Sequence, residues 1–361
     1  MARDLHLMKL AMQLALKAKG KTWPNPMVGA VIVRNNKIVG RGFHLRAGLP
    51  HAEIMALREA KEKARGAKLY VTLEPCSHFG RTPPCVKAIL KSGIKEVMVG
   101  MKDPNPLNNG RSIGILRKNG IKVRVGFLEK ELERINEPFI KYITQKHPFV
   151  TIKVGQSLDG KIATRTGDAK WITSVRTRKF THNLRKFYDA ILVGINTVIK
   201  DNPYLNCPGK AIKKIVIDSS LRLPFDAKIF YQTDPHNIIV VATHSAPRDR
   251  IGRFQKRGIK VLIAGRQRVA LKTLLRKLAD LEISNILVEG GSEINAALLK
   301  EGLVDKIYFF IAPKIIGGRN AIDSFGGEGI KFIRSAVRLH HVEVRRINED
   351  IWVEGYVHRN S

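Results

Sequence analysis

Three potential metal ligands constrain the first half of this chain more than any other feature. His51 opens a helical stretch as His51-Ala52-Glu53. Cys76 comes just after the apolar run 68–73, behind Glu74-Pro75, and Cys85 stands nine positions further on. One imidazole and two thiolates make a zinc site with three protein ligands, one zinc per chain. The fourth position is left to water, as in catalytic rather than structural centres. Zinc brings the pKa of such a water to about 7. Glu53, two residues from the histidine, can take that proton and pass it to a leaving amine. Helices beginning at His51 and near Cys85 turn favourable N-terminal dipoles toward thiolate and hydroxide. The competing reading is a helix-start histidine with two incidental buried thiols. Against it, two of only three cysteines fall in place.

A chain of 361 residues is too long for one ordinary domain and comfortable for two. The first half reads as strands at 27–33 and 37–42 around an Asn35-Asn36 turn. A helix at 51–64, a strand at 68–73, a helix at 84–91 and a strand at 96–100 follow, then a helix at 113–119 and a strand at 122–125. Strands alternating with helices predict an α/β layered domain with a largely parallel sheet. A boundary is expected at 146–148, dividing the chain into 1–146 and 147–361. The second half reads as another α/β set. Its strands are expected at 149–154, 190–193, 214–218, 237–242, 260–262, 285–288, 306–311 and 351–357, and helices at 176–186, 271–281 and 294–300.

Three cysteines do not make a disulfide framework, so a reducing compartment, the cytoplasm, is expected. Arg3, Asp4, Lys9 and Lys17 interrupt the apolar residues of 1–19, and no apolar run reaches the length of a membrane span. Neither a signal peptide nor a membrane partner is therefore expected. The net charge of +33 admits a nucleic-acid partner or charge spread over solvated faces. The lysines are scattered, with no long basic block or aromatic-interleaved stripe, which disfavours nucleic acid. A positive surface also draws a phosphorylated small substrate.

The second half has no Gly-x-Gly-x-x-Gly fingerprint. Its phosphate-binding candidate is Glu289-Gly290-Gly291-Ser292-Glu293, between a strand and a helix. Paired glycines let backbone amides approach a pyrophosphate at a helix N-terminus. A Gly-Gly turn without a ligand is the alternative.

His-x-Glu with Pro-Cys is the signature of zinc nucleobase deaminases, in which the second cysteine follows as Pro-Cys-x-x-Cys. Here an insert, 77–84, displaces it. With the insert, residues 74–85 read EPCSHFGRTPPC. Further motifs are 25–30 (NPMVGA), 40–44 (GRGFH), 103–106 (DPNP), 157–161 (SLDGK), 171–173 (WIT), 288–291 (VEGG) and 312–314 (APK). Together these resemble the bifunctional riboflavin-biosynthesis family, a pyrimidine deaminase fused to a reductase, over nearly the whole chain. The resemblance implies a cytidine-deaminase-like three-layer domain followed by a dihydrofolate-reductase-like α/β domain. It implies deamination of a diaminopyrimidinone ribosylamine 5′-phosphate, then reduction of the ribosyl group by NADPH. A homo-oligomer is expected.

In the first half, Asn25 offers a donor and an acceptor to a pyrimidine, or holds a turn before Pro26. His44 reads as a substrate contact or a satisfied structural histidine. Arg81 and Thr82 flank the metal loop and could hold phosphate or pyrimidine, and His78 could contact substrate or cap the loop. In the second half, the resemblance implies substrate contacts at Lys153, Ala169, Arg185, Leu205 and Glu289. It implies NADPH contacts at Gly155, Trp171, Thr197, Asp201, Ser219, Gly290, Gly291 and Ser292. Lys153 also reads as a snorkelling strand-edge lysine and Trp171 as core. Ala169 stands where the family often has a serine, and Cys207-Pro208-Gly209 where it often has an arginine. Lys210 is a candidate replacement for that arginine, and Ser112 replaces a common glycine. A nucleic-acid base deaminase with a degenerate C-terminal assembly module is the alternative function.

Overall fold

The computed structural model describes residues 2–358, and its contacts divide the chain into two units, Met1–Lys146 and His147–Ser361. The first unit contains α1 (Ala2–Leu16), β1 (Gly29–Arg34), β2 (Lys37–Phe43), α2 (Ala52–Ala60), β3 (Lys68–Leu73) and α3 (Cys85–Lys91). It continues with β4 (Glu96–Met101), α4 (Arg111–Lys118), β5 (Lys122–Val125), α5 (Glu129–Ile135) and α6 (Glu137–Gln145). Its sheet runs β2-β1-β3-β4-β5. Asn35 (φ 46°) and Asn36 (φ 63°) both take the left-handed conformation that a two-residue hairpin turn requires. Such a turn joins antiparallel strands. Hence β1 pairs antiparallel with β2, and also with β3, while β3, β4 and β5 run parallel. The expected largely parallel sheet is thus corrected to a mixed one.

Three glycines make the layers. A Cβ on Gly29 would lie 1.9 Å from the Ala11 carbonyl oxygen of α1. One on Gly42 would lie 2.1 Å from Ala52 O, and one on Gly40 2.2 Å from Ala56 O, both in α2. Gly42 is paired with Ala30 and Gly40 with Ile32, so both point away from the face that Gly29 addresses. Helices α1 and α2 therefore cover opposite faces, and the sheet between them is apolar throughout its centre: Ala30, Ile32, Leu69, Val71, Val97 and Val99 are fully buried.

The second unit begins with β6 (Phe149–Ser157), β7 (Lys161–Ala163), α7 (Val175–Leu184), β8 (Ala190–Gly194), α8 (Ile195–Asp201), β9 (Lys213–Ile217), β10 (Ile238–Ala242) and α9 (Arg248–Lys256). Then come β11 (Lys260–Ile263), α10 (Leu271–Asp280), β12 (Asn285–Val288), α11 (Ser292–Lys300), β13 (Lys306–Ala312), β14 (Ile322–Asp323), β15 (His340–Ile347) and β16 (Asp350–Tyr356). Its large sheet runs β11-β10-β9-β8-β12-β6-β13-β16-β15, and β7 pairs with β14 apart from it. The seven strands from β11 to β13 are parallel, and β16 and β15 add on antiparallel. Alternate residues feed two cores: Ile191, Val193, Val216 and Val240 one, Leu192, Ile215, Ile239 and Val241 the other. Both faces of the parallel part are thus covered. Helices α8 and α9 and strand β15 do not stand out in the sequence. Helix α9 buries only Phe254, and β15 buries no residue completely.

Gly42→Ala places a methyl group against the α2 backbone. It should destabilise the first unit by about 1–3 kcal/mol, read as a lower midpoint in denaturant unfolding. A parental midpoint would show that α2 is not seated on β2.

Candidate active sites

The end of β3 and the starts of α2 and α3 bring the three predicted donors together. Ligand atoms of His51, Cys76 and Cys85 lie within 4.8 Å of one another. His51 Nδ1 is 3.5 Å from Cys76 Sγ and 3.3 Å from Cys85 Sγ. Tetrahedral zinc with ordinary Zn–N and Zn–S lengths requires edges of about 3.6 Å, so the donor set fits that cation in both chemistry and spacing. The other ring nitrogen, Nε2, lies 3.2 Å from Thr82 Oγ1. A hydrogen bond at the second nitrogen holds the ring in the orientation that coordination needs. The Thr82 hydroxyl thus serves His51. The Cys85 amide donates to Cys76 Sγ at 3.2 Å. Hydrogen bonding from the Cys85 side chain holds the Cys76 thiol below its ordinary value, and the same bond, with burial, pushes Cys85 up. Both thiols would be deprotonated as ligands of a dication.

Glu53, two residues after His51 in the first turn of α2, is 3% exposed. Burial, followed by the Cys76 charge, pushes its carboxyl up to about 7. A carboxyl near neutrality both accepts and returns a proton. Asn25 reaches the same cluster through His44: Asn25 Nδ2 is 2.9 Å from His44 Nε2, and His44 Nδ1 is 3.3 Å from Pro50 O. A ring nitrogen facing a carbonyl carries the proton, so Nε2 accepts from the Asn25 amide. This leaves Asn25 Oδ1 as the group that can face a ligand. His44 itself is 2% exposed and stacks edge-on to His51 at 5.1 Å, as a satisfied histidine behind Asn25. Arg81 is exposed on the loop, and His78 Nδ1 is buried with no hydrogen-bond partner among the described residues.

In the second unit, two adjoining cavities of about 1040 and 650 Å³ share Ile162, Ala169, Thr197, Asp201 and Gly291 in their walls. The larger is also lined by Lys153, Gly155, Trp171, Arg185, Leu205, Glu289 and Gly290, the smaller by Ser219 and Ser292. Every substrate or NADPH contact that the resemblance implies in this half lines one or both. Arg185 Nε and Nη2 donate to the two carboxylate oxygens of Glu289 at 2.7 and 3.0 Å, and Lys153 Nζ lies 3.4 Å from Oε2. Burial alone would raise the Glu289 carboxyl; Arg185 and then Lys153 reverse this and hold it far below the usual carboxylate range. Lys153 stands on β6, an interior strand, and is not a strand-edge lysine. Trp171 is 62% exposed with the Arg178 guanidinium 4.3 Å above its ring, so it is not core. Gly291 caps α11, and its Cβ would lie 3.5 Å from Thr197 Oγ1, so that turn forms an open wall of the cavity. Lys210 does not line either cavity; its amine donates to Lys186 O and Tyr188 O.

The family model of the RibD C-terminal domain matches residues 148–353, and that of the cytidine and deoxycytidylate deaminase zinc-binding region matches residues 1–101. The riboflavin biosynthesis protein RibD of Aquifex aeolicus is 47% identical to this chain, covering 96% of it and 97% of the relative. The chain belongs to the RibD family of riboflavin biosynthesis proteins. RibD of Escherichia coli is 37% identical over 97% of this chain and 98% of its own. The solved RibD of Acinetobacter baumannii superposes with a TM-score of 0.89 at 35% identity, covering 98% of this chain and 99% of its own. A Thermotoga maritima structure described as a diaminohydroxyphosphoribosylaminopyrimidine deaminase/5-amino-6-(5-phosphoribosylamino)uracil reductase superposes at 0.84, with 36% identity and 98% of both chains covered. As a RibD protein the chain is a bifunctional enzyme, with a cytidine-deaminase-like domain and a dihydrofolate-reductase-like one. Among the described residues no helix is long and apolar enough to cross a membrane.

Sequence reasoning passed over the residues that hold the RibD metal loop. Glu74, 2% exposed, accepts from the backbone amides of Asp103, Gly110 and Ser112 and from Ser112 Oγ at 2.8 to 3.2 Å. The serine at 112 is thereby explained, because its hydroxyl completes the Glu74 shell. Asn108 accepts from Ser77 N and Oγ and donates to Pro75 O, and so fixes the residues on either side of Cys76. The signal was local, a buried-type acid beside Pro-Cys, but its partners lie 29 to 38 residues away. Glu74→Ala leaves those donors without an acceptor. Zinc affinity, measured by competition with a chromogenic chelator, should fall about 10–100-fold. Unchanged affinity would show that the loop holds itself.

Proposed function

We propose that the first unit removes the exocyclic amine of 2,5-diamino-6-ribosylamino-4(3H)-pyrimidinone 5′-phosphate by hydrolysis. The second unit then reduces the ribosyl group of 5-amino-6-(5-phosphoribosylamino)uracil to ribityl with NADPH. The division of labour follows 1–146 and 147–361. The observation that carries the reading is the meeting of His51 Nδ1 with both cysteine sulfurs beside the buried Glu53 carboxyl.

In the deaminase site His51, Cys76 and Cys85 would hold zinc, which would supply a water acidified into the neutral range. Glu53 takes the proton of that water and returns it to the departing amine, so that ammonia leaves uncharged. Asn25, held from behind by His44, presents Oδ1 to an N–H of the pyrimidine ring. Arg81 receives the phosphate at the exposed rim, and Thr82 keeps the His51 ring in its coordinating orientation.

In the reductase site NADPH, when bound, would supply hydride. Gly155, Trp171, Thr197, Asp201, Ser219, Gly290, Gly291 and Ser292 would hold it, and their cavity walls suit a dinucleotide. Glu289, kept ionised by Arg185 and Lys153, accepts hydrogen bonds from ribose hydroxyls rather than donating protons. Lys153 Nζ donates to a sugar oxygen. Ala169 and Leu205 shape the apolar wall. A cytoplasmic homo-oligomer belongs to the same reading.

Ammonia release and NADPH oxidation, followed separately in one coupled assay, test the two-site picture. Glu53→Gln should abolish ammonia release, a loss of at least about 10²-fold, and leave reduction of pre-deaminated nucleotide intact. Loss of both activities in a folded variant would sink it. In Cys85→Ser, metal analysis should find well under one zinc per chain; full occupancy would remove Cys85 from the ligand set.

A further inference from the structure

Strand β9 is an interior strand of the parallel sheet, between β8 and β10. Such strands carry apolar residues on both faces, and Ile215 and Val216 of β9 are fully buried. Lys214, beside them, is only 2% exposed. Its ammonium meets no carboxylate among the described residues. It donates instead to Tyr204 O at 2.6 Å, Asn206 Oδ1 at 2.9 Å and Ile229 O at 3.1 Å, and contacts Thr233 Oγ1. Burying an ammonium among neutral groups is costly. That cost shows in its acidity, because burial, followed by the nearby Arg185, lowers Lys214 to about 8. A leucine or isoleucine would fill a strand interior without this cost, so the charge has another use.

All four oxygens belong to two loops, 202–207 and 229–233, and these loops supply Tyr204, Leu205, Asn206 and Gln232 to the wall of the large cavity. Leu205 lies between two of the anchored residues and has φ 51°. A non-glycine residue in that conformation is sterically strained and persists where its surroundings hold it. The backbone oxygen of Asn206 in turn accepts from Arg185 Nη1 at 2.8 Å and stands 2.9 Å from His182 Nε2. Arg185 then grips Glu289. An unbroken run of hydrogen bonds leads from the sheet interior to the carboxylate in the cleft.

We propose that Lys214 is a positioning residue of the reductase site. Its ammonium clamps the two loops, holds Leu205 in its left-handed conformation and sets Asn206 as a stop for Arg185. The inference rests on the reading of this cleft as the uracil nucleotide site. Lys214 touches neither substrate nor cofactor, so its loss acts on substrate recognition and leaves the cofactor wall at Thr197 and Ser219 in place.

The test uses the full chain with Lys214→Met, Lys214→Arg and Asn206→Ala. For Lys214→Met, KM for 5-amino-6-(5-phosphoribosylamino)uracil should rise at least about tenfold, as losing charge-assisted hydrogen bonds implies. NADPH affinity, read by fluorescence quenching, and ammonia release by the first unit should stay within about twofold of the parent. Lys214→Arg, which keeps charge and donors, should recover most of the loss. A parental KM in Lys214→Met overturns the proposal. If that variant does not fold, Asn206→Ala decides: it should raise KM about threefold or more, and a parental value overturns the proposal. Hydrogen exchange separates this inference from the functional reading. Amides of 204–206 and 230–233 should exchange about tenfold faster in Lys214→Met, or in Asn206→Ala should Lys214→Met not fold, with 217–220 unchanged. Unaltered exchange overturns the clamp even if the parent reduces a different substrate.

Discussion

Helix α2 carries His51 and Glu53 to the two sulfurs because its backbone lies directly against strand β2. Only glycine permits that approach: at Gly40 and Gly42 any Cβ would enter a carbonyl oxygen of α2. With the helix seated there, its first turn faces the end of β3, where Cys76 leaves the sheet. The insert between Cys76 and Cys85 then has room to return Thr82 to the far side of the His51 ring. The loop is stiffened from below, since Glu74 and Asn108 bind it through backbone amides and carbonyls rather than through the ligands themselves. A site held this way keeps its three donors at tetrahedral spacing. Preorganisation of this kind reduces the cost of binding.

The reductase cleft is built on the opposite electrostatic plan. One carboxylate, Glu289, meets two cations at close range in a partly buried setting. Such clusters add little net stability, because desolvation offsets most of the attraction. Their retention is better understood through what they present. Glu289 stays ionised, with oxygens fixed as acceptors for hydroxyl groups, while the surplus positive charge suits an anionic ligand. The oxygen shell of Lys214 belongs to the same plan, since it adds a further buried cation behind the wall and orients the carbonyl that stops Arg185.

Much of this was legible in the sequence, and the limits have physical causes. Strands such as 68–73 and 285–288 read true because β-branched runs have few alternatives. The metal triad was legible because each ligand sits at the end of a regular element, within local sequence. The hairpin turn at Asn35-Asn36 was legible too, but its consequence, a mixed sheet, follows only when β1 is also paired with β3. Pairings across long separations left no mark. Arg185 and Glu289 stand 104 positions apart, and nothing near either residue names the other. Lys214 read as an ordinary strand residue, since burial of a lysine becomes visible only when the loops above it are in place. Helix α9, with one fully buried side chain, and β15, a largely exposed edge strand, lack the apolar period that announces an element.

The departures from the family pattern acquire a physical sense in the same way. Cys207 is packed into a hydrophobic core, so its position is structural and offers nothing to a phosphate. Lys210, three residues on, spends its amine on two carbonyls outside the cleft. Besides Lys153 and Lys170, the basic residues that line the cleft come from helix α7 and the turn after it: Arg178, Lys179, His182 and Arg185. Positions 178, 182 and 185 recur at the spacing of one helical face. Arg178 is anchored over the Trp171 ring and to Thr173 O, and Arg185 to Glu289 and Asn206, so the row is held at both ends. A charge row on a helix is more rigid than a single arginine on a loop. The positive field of this cleft therefore survives the loss of the loop arginine, because it was never supplied by the loop alone.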